Sequence, residues 1–130
     1  MALILDSNFV ITLDRDRRRK SPGSAHAFLK SHANEHFQIT FTIAGELACG
    51  RSVSAQADWE VLCRPFAVIP WSPEISWAYG EIFRHLQVNG KMIGTNDLWI
   101  AATALVHSLP VVTNNVSEFR RVPGLSVISY

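Results

Sequence analysis

Short apolar segments alternate along the chain with longer segments of helical periodicity. Ala2–Leu5 is apolar at every position and ends abruptly at Asp6, which predicts a short strand buried on both faces. Further strands are predicted at Phe37–Phe41, Phe66–Ile69, Pro110–Thr113 and Leu125–Ile128. Because strands that alternate with helices form parallel sheets covered by those helices, the pattern predicts an α/β fold with a mostly parallel sheet.

Caps and breaks mark the ends of several predicted helices. The first helix, around Phe9–Leu13, is predicted to stop at the basic run Arg15–Lys20. Thr42 and Thr95–Asp97 are predicted to cap two later helices. The helices after the first are predicted at Ser24–Glu35, Ile43–Cys49, Ser54–Arg64, Ser72 to about Asn89, and Leu98–His107, with a last short turn through Phe119.

The composition is typical of a globular protein. The chain has 130 residues, of which 48% are hydrophobic and 18% charged, so we expect one domain over residues 1–130 with a continuous core. No apolar run is long enough to span a bilayer, and Asp6 interrupts the first one too early for a signal peptide. We therefore expect a cytoplasmic protein that does not enter a membrane.

Cysteine and histidine are poorly placed for a soft-metal site. Cys49 and Cys63 are the only cysteines; none of the five histidines forms an HxH pair, and His32 and His36 alone have HxxxH spacing, which supplies only two ligands. A structural zinc site needs more such ligands at close spacing. Any metal bound by this chain is therefore expected to have oxygen ligands.

The local distribution of charge says more about possible partners than the net charge does. The formal net charge of +1 does not by itself indicate a nucleic-acid partner. The run Arg15–Lys20 is basic at every position except Asp16. Such a run can neutralise phosphates or lie in a solvated loop, and the sequence leaves both interpretations open.

Three acidic residues are predicted at one edge of the sheet. Asp6 follows the first strand, Glu46 lies one turn into the helix after the second strand, and Asp97 begins the apolar helix. In parallel α/β sheets, ligands bind beyond the carboxyl ends of the strands. Each acid also has a structural explanation. Asp6 can cap the next helix, Asp97 can interact with a helix dipole, and Glu46 can be an exposed helical residue.

Crowding of these acids would favour a bound cation. Neighbouring carboxylates repel one another and raise each other's pKa values unless a cation is present. Mg²⁺ prefers oxygen ligands and binds through a few carboxylates together with water and phosphate oxygens. A divalent ion at such a site can activate water and stabilise charge on a phosphate. The sequence therefore predicts metal-dependent phosphodiester hydrolysis.

Four segments resemble motifs of the PIN-domain ribonucleases. LILDSN is similar to the LLDTN opening of that family, and TIAGELACG is similar to its segment with a Glu before a Leu. IGTNDLWIAATAL is close to the family's most characteristic stretch, and VVTNNVSEFRRVPGLSV resembles the ending of bacterial VapC-type toxins. The four segments occur in the family's order and span nearly the whole chain.

The resemblance implies a fold, an activity and a set of site residues. The fold is a three-layer α/β/α sandwich with about five strands, and the activity is that of an endoribonuclease toxin of a toxin–antitoxin pair. Asp6 and Asp97 would be the principal metal ligands, and Glu46 would complete the acidic cluster. Thr113 would orient a ligand or a water through its hydroxyl. Mg²⁺ is the expected ion, with Mn²⁺ as a substitute.

Asn115 departs from the family pattern. Many PIN nucleases have a fourth acid at this position, whereas Asn is neutral and coordinates metals weakly, so a second metal is not implied. Glu118, one helical turn further on, either reaches the site in its place or faces solvent beside Phe119.

Partners follow from the same resemblance. RNA, such as a tRNA anticodon loop, is the expected substrate. An antitoxin is expected to lie in a groove and block the acids, and a second copy of the chain is expected to form a homodimer.

Because an acidic pocket repels RNA, we expect the basic residues Arg15–Lys20 and Lys91 to flank the acids and bind RNA. Trp59 and Trp77 are assigned to a protein–protein surface, and Trp99 to the core.

Other protein classes fit less well. A phosphoacceptor receiver domain needs a second acid beside Asp6, and a haloacid-dehalogenase-like phosphatase needs a DxD motif, whereas Ser7 and Asn8 follow here. Because of Asn115, an RNA- or protein-binding PIN-like module with a degenerate active site is kept as the alternative. Magnesium-stimulated cleavage of RNA distinguishes the two.

Overall fold

A five-stranded parallel sheet forms the centre of the computed structural model, which describes all 130 residues. The strands lie in the order β3-β2-β1-β4-β5, and every neighbouring pair is parallel. They are β1 (Ala2–Leu5), β2 (His36–Thr40), β3 (Ala67–Ile69), β4 (Val111–Val112) and β5 (Val127–Ile128). The α/β prediction is confirmed, with a sheet that is parallel throughout.

Seven helices flank the sheet in the three-layer α/β/α arrangement that was expected. They are α1 (Ser7–Arg18), α2 (Ser24–Ser31), α3 (Phe41–Ala48), α4 (Gln56–Cys63), α5 (Pro73–Val88), α6 (Thr95–His107) and α7 (Val116–Phe119). None of them combines the length and apolarity that a membrane-spanning helix requires.

The central strand β1 is apolar at every position because it is covered on both faces. It pairs with β2 on one side and with β4 on the other, and Ile4 and Leu5 are fully buried. These residues belong to one cluster of 26 buried apolar residues that also includes Phe9 and Ile39. Because burying apolar surface is the main favourable term in folding, this cluster holds the strand ends in place.

The direction of strand succession reverses beside β1. The chain proceeds from β1 through β2 to β3 on one side, and then crosses to β4 and β5 on the other. The carboxyl ends of β1 and β4 therefore form the crevice in which open α/β sheets usually bind ligands. Asp6 follows β1 at this point, and Thr113 follows β4.

The prediction that the first helix stops at the basic run was wrong. Helix α1 continues to Arg18, so Arg15, Arg17 and Arg18 form its last turn. Arginine is a good helix former, and positive charge is favourable at the carboxyl end of a helix dipole. The break comes only after Arg19, where Lys20 has a φ of 51°.

Two predicted helix caps were also wrong. Thr40, not Thr42, caps α3, because its Oγ1 accepts a hydrogen bond from the Ile43 amide over 3.1 Å. Strand β2 therefore ends one residue before Phe41, which begins the helix. Gly94 is the capping residue of α6, and Thr95–Asp97 already belongs to that helix.

The structure confirms the predicted location of Trp99 but not that of Trp59. Trp99 packs against the core and contacts Tyr79, with 4.3 Å between ring centroids, so its assignment to the core is confirmed. Trp59 is half-buried and donates a 2.8 Å hydrogen bond to the Ala44 carbonyl, so it serves the fold rather than an open surface. Trp77 is 65% exposed, and Arg84 lies over its ring.

Candidate active site

A wholly polar cavity of about 380 Å³ opens at the carboxyl edge of the sheet. Hydrophobic side chains are absent from its wall, which we call the acidic pocket. The pocket is lined by Asp6, Ser7, Asn8, Glu46, Gly94, Thr95, Asn96, Asp97 and Asn115. The structure thus brings together the three acids expected from the sequence, from the start, middle and end of the chain.

Asp6 is the most constrained of the three acids. Its Oδ1 accepts a 2.9 Å hydrogen bond from the Phe9 amide, and its Oδ2 accepts one of 2.5 Å from the Thr113 hydroxyl. The side chain therefore caps α1 and lines the pocket at once, so the two explanations of this acid are compatible. Burial raises the pKa of Asp6, and the bonds from Thr113 and Phe9 oppose that rise.

Glu46 reaches the pocket from the second turn of α3. It is half-buried, and its Oε2 accepts a 2.9 Å hydrogen bond from the hydroxyl of Ser7. That bond connects α3 with the first residue of α1. Glu46 is therefore not a freely exposed helical residue.

Asp97 lies in the first turn of α6, where its charge is crowded by other acids. Burial is the largest cause that raises its pKa to about 6, followed by Glu118 and then by the charges of Asp6 and Glu46. Part of the rise therefore comes from the neighbouring carboxylates. An acid in the first turn of a helix also interacts favourably with the dipole, but here burial and the neighbouring acids outweigh that effect.

Asn115 forms a polar bridge between two acids. Its Nδ2 donates to Glu118 Oε2 over 2.8 Å and lies 3.5 Å from Asp97 Oδ2. Its backbone amide donates to the Thr113 hydroxyl oxygen over 2.9 Å. A continuous chain of hydrogen bonds thus runs from Asp6 through Thr113 and Asn115 to Glu118, which faces the site rather than open solvent.

None of the pocket's carboxylates is neutralised by a basic side chain. The ion pairs of the structure involve Glu35, Asp16 and Asp14, all outside the pocket. The oxygen donors and uncompensated negative charge suit a hard divalent cation. No group of three or more His, Cys, Asp or Glu side chains, however, is arranged to hold a metal ion by itself.

Basic residues lie beside the pocket rather than within it. Glu46 also lines a second cavity of about 580 Å³, together with Arg18 and Arg51. An adjoining cavity of about 200 Å³ extends between α1 and α4 to Val61 and Phe66. The two cavities share Asp14, Arg18, Ser52, Val53 and Leu62, and together we call them the α1–α4 groove.

The expected basic flank is present only in part. Arg17 and Arg18 line the α1–α4 groove, whereas Lys91 is exposed and lines neither the groove nor the acidic pocket. Arg51 was not predicted. Its position beside Gly50, just after α3, was the one available signal, because Glu46 lies on that helix.

Comparison with known proteins agrees with this geometry. The PIN-domain family model matches residues 3–125. Ribonuclease VapC of Rickettsia bellii is 36% identical over 137 residues, covering 99% of this chain and 96% of that protein. Ribonuclease VapC2 of Rickettsia felis is 31% identical, covering 96% of this chain and 95% of the relative. The chain belongs to the PIN-domain family, and within it to the VapC ribonucleases.

A solved structure has the same fold over the full length of the chain. It is VapBC2 of Rickettsia felis, bound to a DNA fragment from its promoter. The TM-score is 0.85 at 28% sequence identity, with coverage of 100% of this chain and 99% of that one. The order of strands and helices is therefore that of a solved PIN-domain protein.

Proposed function

We propose that this protein is a metal-dependent endoribonuclease that acts as the toxin of a toxin–antitoxin pair. The observation that carries the proposal is the convergence of Asp6, Glu46 and Asp97 on one polar cavity without a basic partner. Such a cavity is costly for a stable fold unless a cation offsets the repulsion. The VapC relatives support the choice of RNA as substrate.

Asp6 and Asp97 are the proposed principal ligands of a divalent cation, with Glu46 completing the acidic cluster. Because these side chains do not form a complete coordination sphere, water and phosphate oxygens would supply the remaining positions. Mg²⁺ is the proposed ion, and Mn²⁺ a substitute. Such an ion supplies a Lewis acid for the phosphate and lowers the pKa of bound water.

Thr113 and Asn115 have supporting roles in this proposal. Thr113 fixes the orientation of Asp6 through its hydroxyl, and Asn115 holds Glu118 beside Asp97. Partners that orient metal ligands matter because misplaced ligands weaken both metal binding and activity. Asn115 thus keeps a polar role although it is not an acid.

Arg18 and Arg51 are the proposed contacts for the RNA backbone. They line the cavity that shares Glu46 with the acidic pocket, so a strand bound along the α1–α4 groove would present a phosphate to the acids. Positive charge there offsets the repulsion between RNA and the acidic pocket. We propose structured RNA, such as a tRNA anticodon loop, as the substrate.

The α1–α4 groove is also the proposed site of the antitoxin. It combines apolar and charged side chains, including Val61 and Phe66, as protein-binding surfaces do. The similar VapBC2 assembly supports such a partner. A segment lying in the groove would cover Arg18 and reach Glu46, and it would therefore prevent RNA from binding there.

A homodimer in the cytoplasm is the proposed form of the toxin.

The test is Asp6→Asn in protein purified free of its partner. Mg²⁺-stimulated cleavage of total RNA should fall by at least about 1,000-fold, because a metal ligand is lost. Glu74→Gln, which also removes a carboxylate charge but lies outside both the acidic pocket and the α1–α4 groove, serves as the control and should cleave normally. Unchanged cleavage by Asp6→Asn and Asp97→Asn would overturn the site assignment.

The alternative is a PIN-like binding module with a degenerate site. It is favoured by one observation, the neutral Asn115 that lines the pocket. Wild-type protein that binds RNA but cleaves none, at any Mg²⁺ or Mn²⁺ concentration, would support this alternative.

A further inference from the structure

We propose that Ser7 is a positioning residue that holds the Glu46 carboxylate in the acidic pocket. The inference rests on the proposed metal-dependent function. Ser7 directly follows Asp6 as the first residue of α1, and its Oγ donates to Glu46 Oε2 over 2.9 Å. The bond joins residues 39 positions apart. One short segment therefore supplies a carboxylate to the pocket and orients a second one.

Glu46 depends on this bond more than Asp6 depends on either of its own. Both carboxylate oxygens of Asp6 accept hydrogen bonds, from Phe9 and Thr113. Glu46 has a longer side chain, whose one hydrogen bond comes from Ser7. Because a glutamate has many rotamers, holding it in one of them costs conformational entropy. A single donor therefore determines where this carboxylate lies.

A competing position for the carboxylate lies next to the pocket. Glu46 also lines the α1–α4 groove, which contains Arg18 and Arg51. Arg18 is already paired with Asp14 over 3.1 Å, whereas Arg51 takes part in no ion pair. A Glu46 side chain released by Ser7 would be attracted to Arg51. The serine hydroxyl thus keeps Glu46 directed towards the other acids.

The test measures Mn²⁺ binding by isothermal titration calorimetry on the purified full chain. Ser7→Ala should weaken binding roughly tenfold, because a hydrogen bond to a charged group is lost. Ser7→Thr keeps the hydroxyl and should bind as the wild type does. Ser7→Cys, of similar size but a weak donor, should fall between the two. Ser24→Ala, the same change at the first residue of α2, is the matched control.

A double-mutant cycle separates this role from a general structural one. If Ser7 acts through Glu46, Ser7→Ala should cause no further loss of Mn²⁺ affinity in a Glu46→Gln background. Arg51→Gln should restore most of the affinity lost in Ser7→Ala, since it removes the competing charge. Additive losses in the cycle, or wild-type affinity in Ser7→Ala, would overturn the proposal. Failure of Arg51→Gln to restore affinity would refute the competing position.

Failure of the proposed function gives a different result. A wild-type protein that binds Mn²⁺ but cleaves no RNA would refute the ribonuclease, while the comparison of Ser7 variants would still decide the positioning role. A wild-type protein that binds no Mn²⁺ would overturn both.

Discussion

The acidic pocket and the α1–α4 groove are neighbours that share Glu46 and differ in their chemistry. The pocket has no hydrophobic lining residue, and its side chains are tied to one another by hydrogen bonds. The groove is partly apolar and carries both Arg18 and Asp14, which pair with each other at its surface. The pocket is therefore suited to fixed geometry, and the groove to recognition.

Helix α1 explains how one element contributes to both regions. Its first turn supplies Ser7 to the pocket and is capped by Asp6. Its last turn supplies Arg17 and Arg18 to the groove. Each charge lies at the helix end where the dipole favours it. The arrangement that stabilises the helix thus also separates the negative charge of the proposed metal site from the positive charge of the proposed RNA contact.

A substitution in the α1–α4 groove should weaken antitoxin binding without altering the catalytic step. Of the substitutions that contrast the two regions, this one is expected to have the largest effect. Val61→Asp places a charge on an exposed apolar position of α4, where we expect an antitoxin contact. Affinity for a cognate antitoxin, measured by calorimetry, should fall about 30-fold. The kcat for RNA cleavage by the isolated toxin should not change, whereas the added negative charge in the groove should raise the KM for RNA about threefold. Val88→Asp, at an exposed position outside the groove, is the control; equal losses in both variants would argue against the groove.

A change in the pocket should alter stability in a pH-dependent way. The folded protein holds the proton of Asp97 more tightly than the unfolded chain, because its pKa is raised from 3.8 to about 6. That contribution is fully present below pH 3.8 and is lost as the pH rises through about 6. Without metal at pH 7, Asp97→Asn should therefore be more stable than the wild type, by about 1 kcal/mol after allowance for solvent screening.

Thermal unfolding with a chelator measures this difference. The Tm of Asp97→Asn should exceed that of the wild type by a few degrees at pH 7 and match it at pH 4. Excess Mn²⁺ should reverse the order, because only the wild type gains the full cation contact. A variant less stable than the wild type at pH 7 without metal would show that the pKa of Asp97 is not raised in the folded protein.

The smallest expected effect is that of a substitution at Arg51, which lines the part of the α1–α4 groove that also contains Glu46. Arg51→Gln should raise the KM for RNA about threefold at low salt, because one exposed phosphate contact is lost. The difference should shrink at high salt, where exposed charges are screened. Arg64→Gln, an exposed arginine outside the groove, is the control. A salt-independent change in kcat would instead indicate that Arg51 acts on the chemistry.

The sequence predicted the parts of the site that follow from strand periodicity. An acid directly after a fully apolar strand lies at the carboxyl edge, and this placed Asp6 correctly. The same reasoning brought Glu46 and Asp97 to that edge, because the helices that carry them follow or precede strands of one parallel sheet. Their roles as metal ligands stay predictions.

The hydrogen bonds between side chains could not be predicted from the sequence. The bonds from Ser7 to Glu46 and from Asn115 to Glu118 depend on rotamers and on the separation of elements, neither of which leaves a periodic signal. The length of α1 was also missed, since a run of arginines is compatible with a loop as well as with a helix. The division into an acidic pocket and the α1–α4 groove follows from these details.

The hydrogen bond between Thr113 and Asp6 has a consequence for biosynthesis. It joins residues 107 positions apart, and the pocket also needs Asn115. A nascent chain therefore has no complete pocket until nearly all of it has left the ribosome. Fragments that end before β4 would lack this bond however well their first helices fold, so an incomplete chain cannot form the complete acidic pocket.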